Sequence, residues 1–184
     1  MKAAVFLDRD GVINVDHGYV SKIDEFKFIE GSIEAMQILK SKGYLLVVVT
    51  NQSGIARGYY SEDDFHKLTE WMDWSLADKG IELDGIYYCP HHVDKGIGEY
   101  KIDCECRKPK TGMLDSAITD LDITASQSLL VGDKLSDIEA GYKAGLQASY
   151  LVNTGNDQYK EITGNVAAIY DDLLSFAKAV PAVN

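Results

Sequence analysis

The chain has 184 residues, 46% of them apolar, with a formal net charge of −11, which suits one domain with its own core and excludes bulk disorder. The acid excess and the absence of a segregated basic stripe exclude a general nucleic-acid binder, and a phosphorylated ligand would have to be met by a few placed cations. No run approaches the ~20 apolar residues of a membrane span, and the five uncharged residues between Lys2 and Asp8 are too few for the core of a signal peptide, so a soluble, cytoplasmic protein is expected.

AAVFL (3–7) is a short apolar run ending at two aspartates. GSIEAMQILKSKG (31–43) has Ile33, Met36, Ile38 and Leu39 at near-helical spacing and a glycine where a C-cap belongs. YLLVVVT (44–50) is a continuous β-branched run, as expected of a strand buried on both faces. Ser61, with Asp63 and Asp64 behind it, predicts a helix to about Lys79. IYY (86–88) reads as a strand; after a loop come a helix near 111–121, a strand over 128–131, a helix over 136–144 and a strand over 148–152. A last strand and helix follow residue 165. Strands and helices in alternation predict an α/β fold, a doubly wound Rossmann-like parallel sheet in one domain over 1–184.

In such sheets ligands bind beyond the carboxyl ends of the strands. Asp8 and Asp10 follow the first strand, Thr50 ends the second, and Gly132-Asp133 ends a later one. Three separate segments should therefore bring polar groups to one edge. A calcium loop is excluded: counted from Asp8, the glycine falls at the fourth position and Val12 at the fifth, and a strand precedes instead of a helix.

DRDG after a buried strand, threonine at the end of the next, the lysine of CRKP and GDKLSD after a later strand together resemble the four motifs of the haloacid dehalogenase-like phosphatases. The resemblance implies Mg2+ and an aspartyl-phosphate intermediate. Carried over by position, Asp8 is the expected nucleophile and Asp10 the general acid and base. Thr50 and Lys108 would hold phosphoryl oxygens, and Asp133 would complete a Mg2+ site with the Asp8 carboxylate and the Asp10 backbone carbonyl. The chemistry is coherent. A carboxylate attacking a phosphate dianion needs its repulsion neutralised, Mg2+ takes few protein carboxylates, and Asp10 can protonate a leaving alkoxide and then activate water. Asp137, one helical turn past Asp133, reads either as a helix N-terminal carboxylate or, with Lys134, as a group behind the site that orients a cation.

CPHHVDKGIGEYKIDCEC (89–106) contains all three cysteines and two of the four histidines. Disulfides would leave an odd thiol, and Cys104 with Cys106 is too tight a pair for an easy bridge. Cys89, His91, Cys104 and Cys106 instead suit a closed, structural Zn2+ site, with His92 open as a replacement for His91. Zinc there would fix Arg107 and Lys108, which follow at once, at the active edge.

VDHGYV (15–20), TNQSGIARG (50–58), LTEWMDWSLAD (68–78), DGIYYCPHH (84–92), CRKP (106–109) and VGDKLSD (131–137), taken with the zinc loop, resemble the capless sugar bisphosphate phosphatases of that family. The resemblance is dense over 5–155 and weak beyond Asn156. It implies a heptose 1,7-bisphosphate cleaved at its 7-position, the β anomer favoured, for lipopolysaccharide core synthesis. It also implies a substrate-binding set of Asp16, His17, Gly18 and Tyr19, then Thr50, Asn51, Gln52 and Ser53, then Arg107 and Lys108, with Arg107 on the non-reacting phosphate. From the residues alone His17 and Tyr19 read as a surface turn about Gly18, Arg57 as a surface charge beside a helix, and Trp71 and Trp74 as packing surface. The rivals are a histidinol-phosphate phosphatase, a phospho-receiver switch and a zinc-dependent scaffold without turnover; a polynucleotide phosphatase is disfavoured by charge. Nothing demands more than a monomer.

Overall fold

A computed structural model describes residues 2–184. Six strands, β1 (Ala4–Leu7), β2 (Leu45–Asn51), β3 (Gly85–Cys89), β4 (Leu129–Gly132), β5 (Ala148–Val152) and β6 (Val166–Tyr170), form one sheet in the order β3-β2-β1-β4-β5-β6. Every pairing is parallel. β1 lies at the centre, with Val5 opposite Leu46 on one side and Leu129 on the other. The strand order reverses direction beside β1, which opens the crevice that doubly wound sheets use for ligands.

The helices are α1 (Ser32–Ser41), α2 (Ser53–Ala56), α3 (Glu62–Ala77), α4 (Gly112–Asp120), α5 (Leu135–Lys143) and α6 (Leu173–Ala179). Side chains of a strand alternate between faces, and here the alternation sorts the core in two. Val5, Leu7, Leu46, Val48, Leu129 and Val131 pack with Met36 and Leu39 of α1, Leu68, Met72 and Leu76 of α3, and Phe176 of α6. Ala4, Phe6, Val47, Val49 and Leu130 face Met113, Leu114 and Ala117 of α4 and Ala140 of α5. Both faces of the sheet are covered, so the short strands can be apolar throughout.

Local signals act where the sequence places them. Ser61 caps α3 by accepting from the Asp64 backbone N–H at 3.1 Å, and Asp64 returns a bond to the Ser61 N–H. α1 ends at Ser41 with Lys42 as its C-cap, and Gly43 follows directly with φ +91°. The four-residue α2 was not expected; it turns the chain back directly after β2. Trp71 packs on Phe26 and Phe28, while Trp74 stands 65% exposed, so neither faces the crevice. Among the described residues no helix is long and apolar enough to cross a membrane.

Candidate active site

A cavity of about 610 Å3 opens at the carboxyl edge of the sheet. Asp8 and Asp10 reach it from the end of β1, Asn51, Gln52 and Ser53 from the end of β2, and Lys134 and Asp137 from the start of α5. Asp16, Gly18 and Tyr19 come from the loop after β1, and Arg107 and Lys108 from the loop after β3.

Lys108 is the hub. Its buried ammonium has three donors, and each is used: Asp137 Oδ1 at 2.6 Å, Asp8 Oδ1 at 3.0 Å and the Val49 carbonyl at 2.8 Å. Asp137 is therefore more than a helix-terminal charge. One oxygen takes Lys108 while the other accepts the Lys134 N–H at the start of α5, at 3.1 Å.

Burial pushes the Asp8 carboxyl up to about 6; Lys108 pulls it back, and Asp137 and Asp10 push the same way as burial. Asp133 is fully buried, and burial with the Asp8 and Asp137 charges takes it up to about 9. Neither of its carboxylate oxygens has a hydrogen-bond partner. Unpaired buried carboxylate oxygens are costly. Asp8, Asp133 and Asp137 each place an oxygen within 4.8 Å of the others, and such a cluster of hard oxygen donors fits a divalent cation. Gly11 and Gly155 shape its back wall: a Cβ on either would collide with the Asp133 carboxylate. Gly11 also takes φ +84°, open mainly to glycine.

Two residues of the expected substrate-binding set do not line the cavity. Thr50 is fully buried, its hydroxyl accepting from Gln52 Nε2 at 2.8 Å, and His17 is exposed and outside the cavity wall. Asn51 spends its side chain on the loop, accepting the Lys108 N–H at 3.0 Å and donating to the Lys108 carbonyl at 3.2 Å. It thereby sets the lysine's position. Gln52 is likewise occupied, donating to Asp10 Oδ2 at 3.1 Å and accepting from Tyr60.

Arg57 is not a surface charge. The turn of α2 brings it into the cavity wall, where its guanidinium lies 5.7 Å from the Tyr19 ring centre. Tyr60 and Ser136 also line the cavity. Nothing in the sequence singled out Tyr60, Ser136 or Gly155, although Gly155 follows β5 and so obeys the same strand-end rule as Asp8 and Asp133. Asp16 is held by Asn156, whose amide donates to it at 3.1 Å, and by the Gly18 N–H at 2.9 Å.

The second cluster lies where β3 meets the following loop. Cys106 Sγ lies 2.9 Å from Cys89 Sγ and 3.3 Å from Cys104 Sγ, and His91 Nδ1 lies 3.5 Å from Cys106 Sγ. These spacings are too long for an S–S bond of about 2.05 Å and suit four ligands converging on one ion. Hydrogen bonds from its neighbours lower the Cys106 thiol to about 5, and its bond to Cys106 raises that of Cys89. His92 turns elsewhere, accepting the N–H groups of Asp94 and Lys95 at 3.2 and 3.1 Å, which favours His91 as the ligand. Glu62 ties this loop down from α3, accepting Tyr100 OH at 2.7 Å and Tyr88 OH at 2.6 Å.

Comparison with known proteins agrees with this geometry. Residues 105–176 match a family model described as HAD-hydrolase-like. The D-glycero-beta-D-manno-heptose-1,7-bisphosphate 7-phosphatase of Pasteurella multocida is 65% identical over 84% of both chains. That of Escherichia coli K12 is 52% identical over 96% of this chain and 93% of its own. The crystal structure of D,D-heptose 1,7-bisphosphate phosphatase from B. bronchiseptica, complexed with magnesium and phosphate, superposes with a TM-score of 0.83 at 33% identity, covering 97% of each chain. With Asp8, Asp10, Lys108 and Asp133 brought to one sheet edge and relatives alike over almost the whole length, the chain belongs to the heptose bisphosphate phosphatase family of haloacid dehalogenase-like hydrolases.

Proposed function

We propose that the protein is a cytoplasmic phosphatase, one domain over its described length, that removes the 7-phosphate of D-glycero-β-D-manno-heptose 1,7-bisphosphate on the route to lipopolysaccharide core. The observation that carries this reading is a single cavity holding both a reacting centre and a separate cationic wall. Asp8, Asp10 and Lys108 form the first, with the buried Asp133 behind Asp8. Arg57 and Arg107 form the second, and each keeps a buried N–H without a partner, at Nε of Arg57 and Nη1 of Arg107. A bisphosphate can satisfy both. Histidinol phosphate has one phosphate and an imidazole at its far end, and so offers no second anion to the two guanidinium groups.

Asp8 attacks phosphorus as the bond to O7 breaks, and the proton of Asp10 passes to O7. Asp10 then takes a proton from water as the water oxygen attacks the acyl phosphate, releasing phosphate and restoring the Asp8 carboxylate. Lys108 stays on the Asp8 side throughout, a fixed and buried charge. Asp8, Asp133 and the Asp10 carbonyl would hold Mg2+, whose charge, when bound, offsets the repulsion between carboxylate and phosphate dianion. Cys89, His91, Cys104 and Cys106 would hold Zn2+, with no open position for chemistry.

Phosphate release with Mg2+ from the β and α heptose bisphosphates and from histidinol phosphate tests the substrate. The β anomer is expected to give the highest kcat/KM, with 31P NMR showing loss of the 7-phosphate. Preference for histidinol phosphate would overturn the assignment.

The raised carboxyls add a pH signature. A folded-state pKa of about 6 for Asp8 and about 9 for Asp133, against 3.8 ordinarily, means that the folded, metal-free chain binds protons more tightly than the unfolded one. Its stability should therefore fall as pH rises through that window. Thermal unfolding without metal is expected to show Tm dropping from about pH 5 to about pH 8, with Mg2+ restoring more at the higher pH. A metal-free Tm that climbed over this range would contradict the carboxylate cluster.

A further inference from the structure

Arg9 stands between the two aspartates in sequence yet is only 2% exposed, and it does not line the cavity. It cannot be a substrate cation. Its guanidinium instead forks onto one oxygen of Asp10, Nη2 at 2.8 Å and Nε at 3.2 Å from Oδ1, and Asn14 Nδ2 donates to the same oxygen at 3.0 Å. The other oxygen, Oδ2, receives only Gln52 Nε2, at 3.1 Å.

We propose that Arg9, with Asn14 and Gln52, is a positioning residue that locks the Asp10 carboxyl in one orientation and assigns its mobile proton to Oδ2. This rests on the reading of Asp10 as the acid and base. A carboxylate oxygen offers about two lone-pair sites. Three donors occupy Oδ1, so a proton there would meet only other hydrogens, whereas Oδ2 keeps a site open. In the first step the proton leaves Oδ2 for the departing oxygen as the P–O bond breaks and the Asp8–phosphorus bond forms. Oδ1 keeps its donors before and after, so no reorganisation is needed as Asp10 becomes anionic.

Each donor has a second anchor. Arg9 Nη2 also bonds the Val20 carbonyl at 2.8 Å, and its guanidinium lies 6.0 Å from the ring centres of both Phe26 and Phe65. Asn14 Nδ2 also reaches the Val15 carbonyl at 3.1 Å. Gln52 is oriented by Tyr60 at its oxygen and shares its Nε2 with Thr50 Oγ1. The two residues that donate to Oδ1 are therefore fixed by groups outside the cavity wall. In a capless cavity this supplies from beneath the order that a closing domain would otherwise impose from above.

The test is the dependence of kcat/KM on the leaving group, from p-nitrophenyl phosphate to alkyl phosphates, for the parent and for Arg9→Lys, Asn14→Ala and Asp10→Asn. A lysine keeps the charge but cannot fork, and Asn14→Ala gives a second probe of the same oxygen should Arg9→Lys fail to fold. A good leaving group needs no acid. Arg9→Lys and Asn14→Ala are therefore expected to lose about 10–100-fold more on alkyl than on aryl phosphate. Equal losses on both classes would reduce Arg9 and Asn14 to packing residues and overturn the proposal. If Asp10→Asn itself showed no alkyl-selective loss, the acid–base reading would fall, and the positioning proposal with it.

Discussion

Asp8→Asn is expected to lower kcat by about 10⁴-fold or more while leaving the fold intact. The amide has the carboxylate's shape but cannot attack phosphorus, and without the covalent step the remaining groups have nothing to hydrolyse. The thermal consequence should run the other way. Asp8, Asp133 and Asp137 crowd around one lysine, and burial together with mutual repulsion already pushes the first two up. Removing one negative charge relieves that repulsion, so the metal-free variant should unfold at the same temperature or higher. Phosphate release and thermal unfolding check the two halves. Mass spectrometry of rapidly quenched parent enzyme should show a phosphate adduct on the peptide containing Asp8, and the variant should show none. A variant retaining parental turnover would end the nucleophile assignment.

Breaking the cysteine cluster should have the next largest effect. Cys106 is followed at once by Arg107 and Lys108, and Lys108 reaches its three acceptors from a loop held by the cysteine cluster on one side and by Asn51 on the other. Cys106→Ser is expected to lose bound zinc and to lower Tm by about 5–10 °C, equivalent to about 2–3 kcal/mol for a chain of this size. It should also raise KM and lower kcat together, since it moves Arg107, the proposed partner of the second phosphate, and Lys108, which pairs with Asp8. The Glu62 bonds to Tyr88 and Tyr100 restrain the loop from the other side and keep the loss partial. Zinc content by elemental analysis, followed by thermal unfolding and kinetics, makes the check. Parent protein purified without chelators and found free of zinc would refute the assignment.

How much of this was legible beforehand depends on which kind of signal each residue carries. The strand over 44–50 is readable because a β-branched run buried on both faces must be continuous, and observed β2 covers Leu45–Asn51. Asp8 and Asp133 are readable as neighbours because parallel strands deliver their carboxyl ends to one edge. Arg9 is different. In sequence it is one charge among several, and only the fold shows it turned inward between Phe26 and Phe65. Gly155 is a loop glycine until the chain lays it against Asp133. Gln52 and Asn51 sit at the right strand end, but which atoms they serve is a question of side-chain direction, and both serve the protein's own groups. Arg57 was misjudged because the four-residue α2 has no periodicity long enough to read.

The strand order also constrains how the protein is made. β1 is synthesised first, yet its neighbour β4 lies more than a hundred residues later in the chain. A nascent chain that has emerged as far as β3 can pair β1 with β2 and carries Asp8 and Asp10, but one flank of its central strand stays open. It has neither Lys108, nor Asp133, nor the Gly155 wall. Long-range pairing of this sort folds slowly and exposes an unpaired edge while it waits. On the ribosome, then, the two aspartates of the opening motif exist as a disarmed pair, and arming them coincides with closure of the sheet.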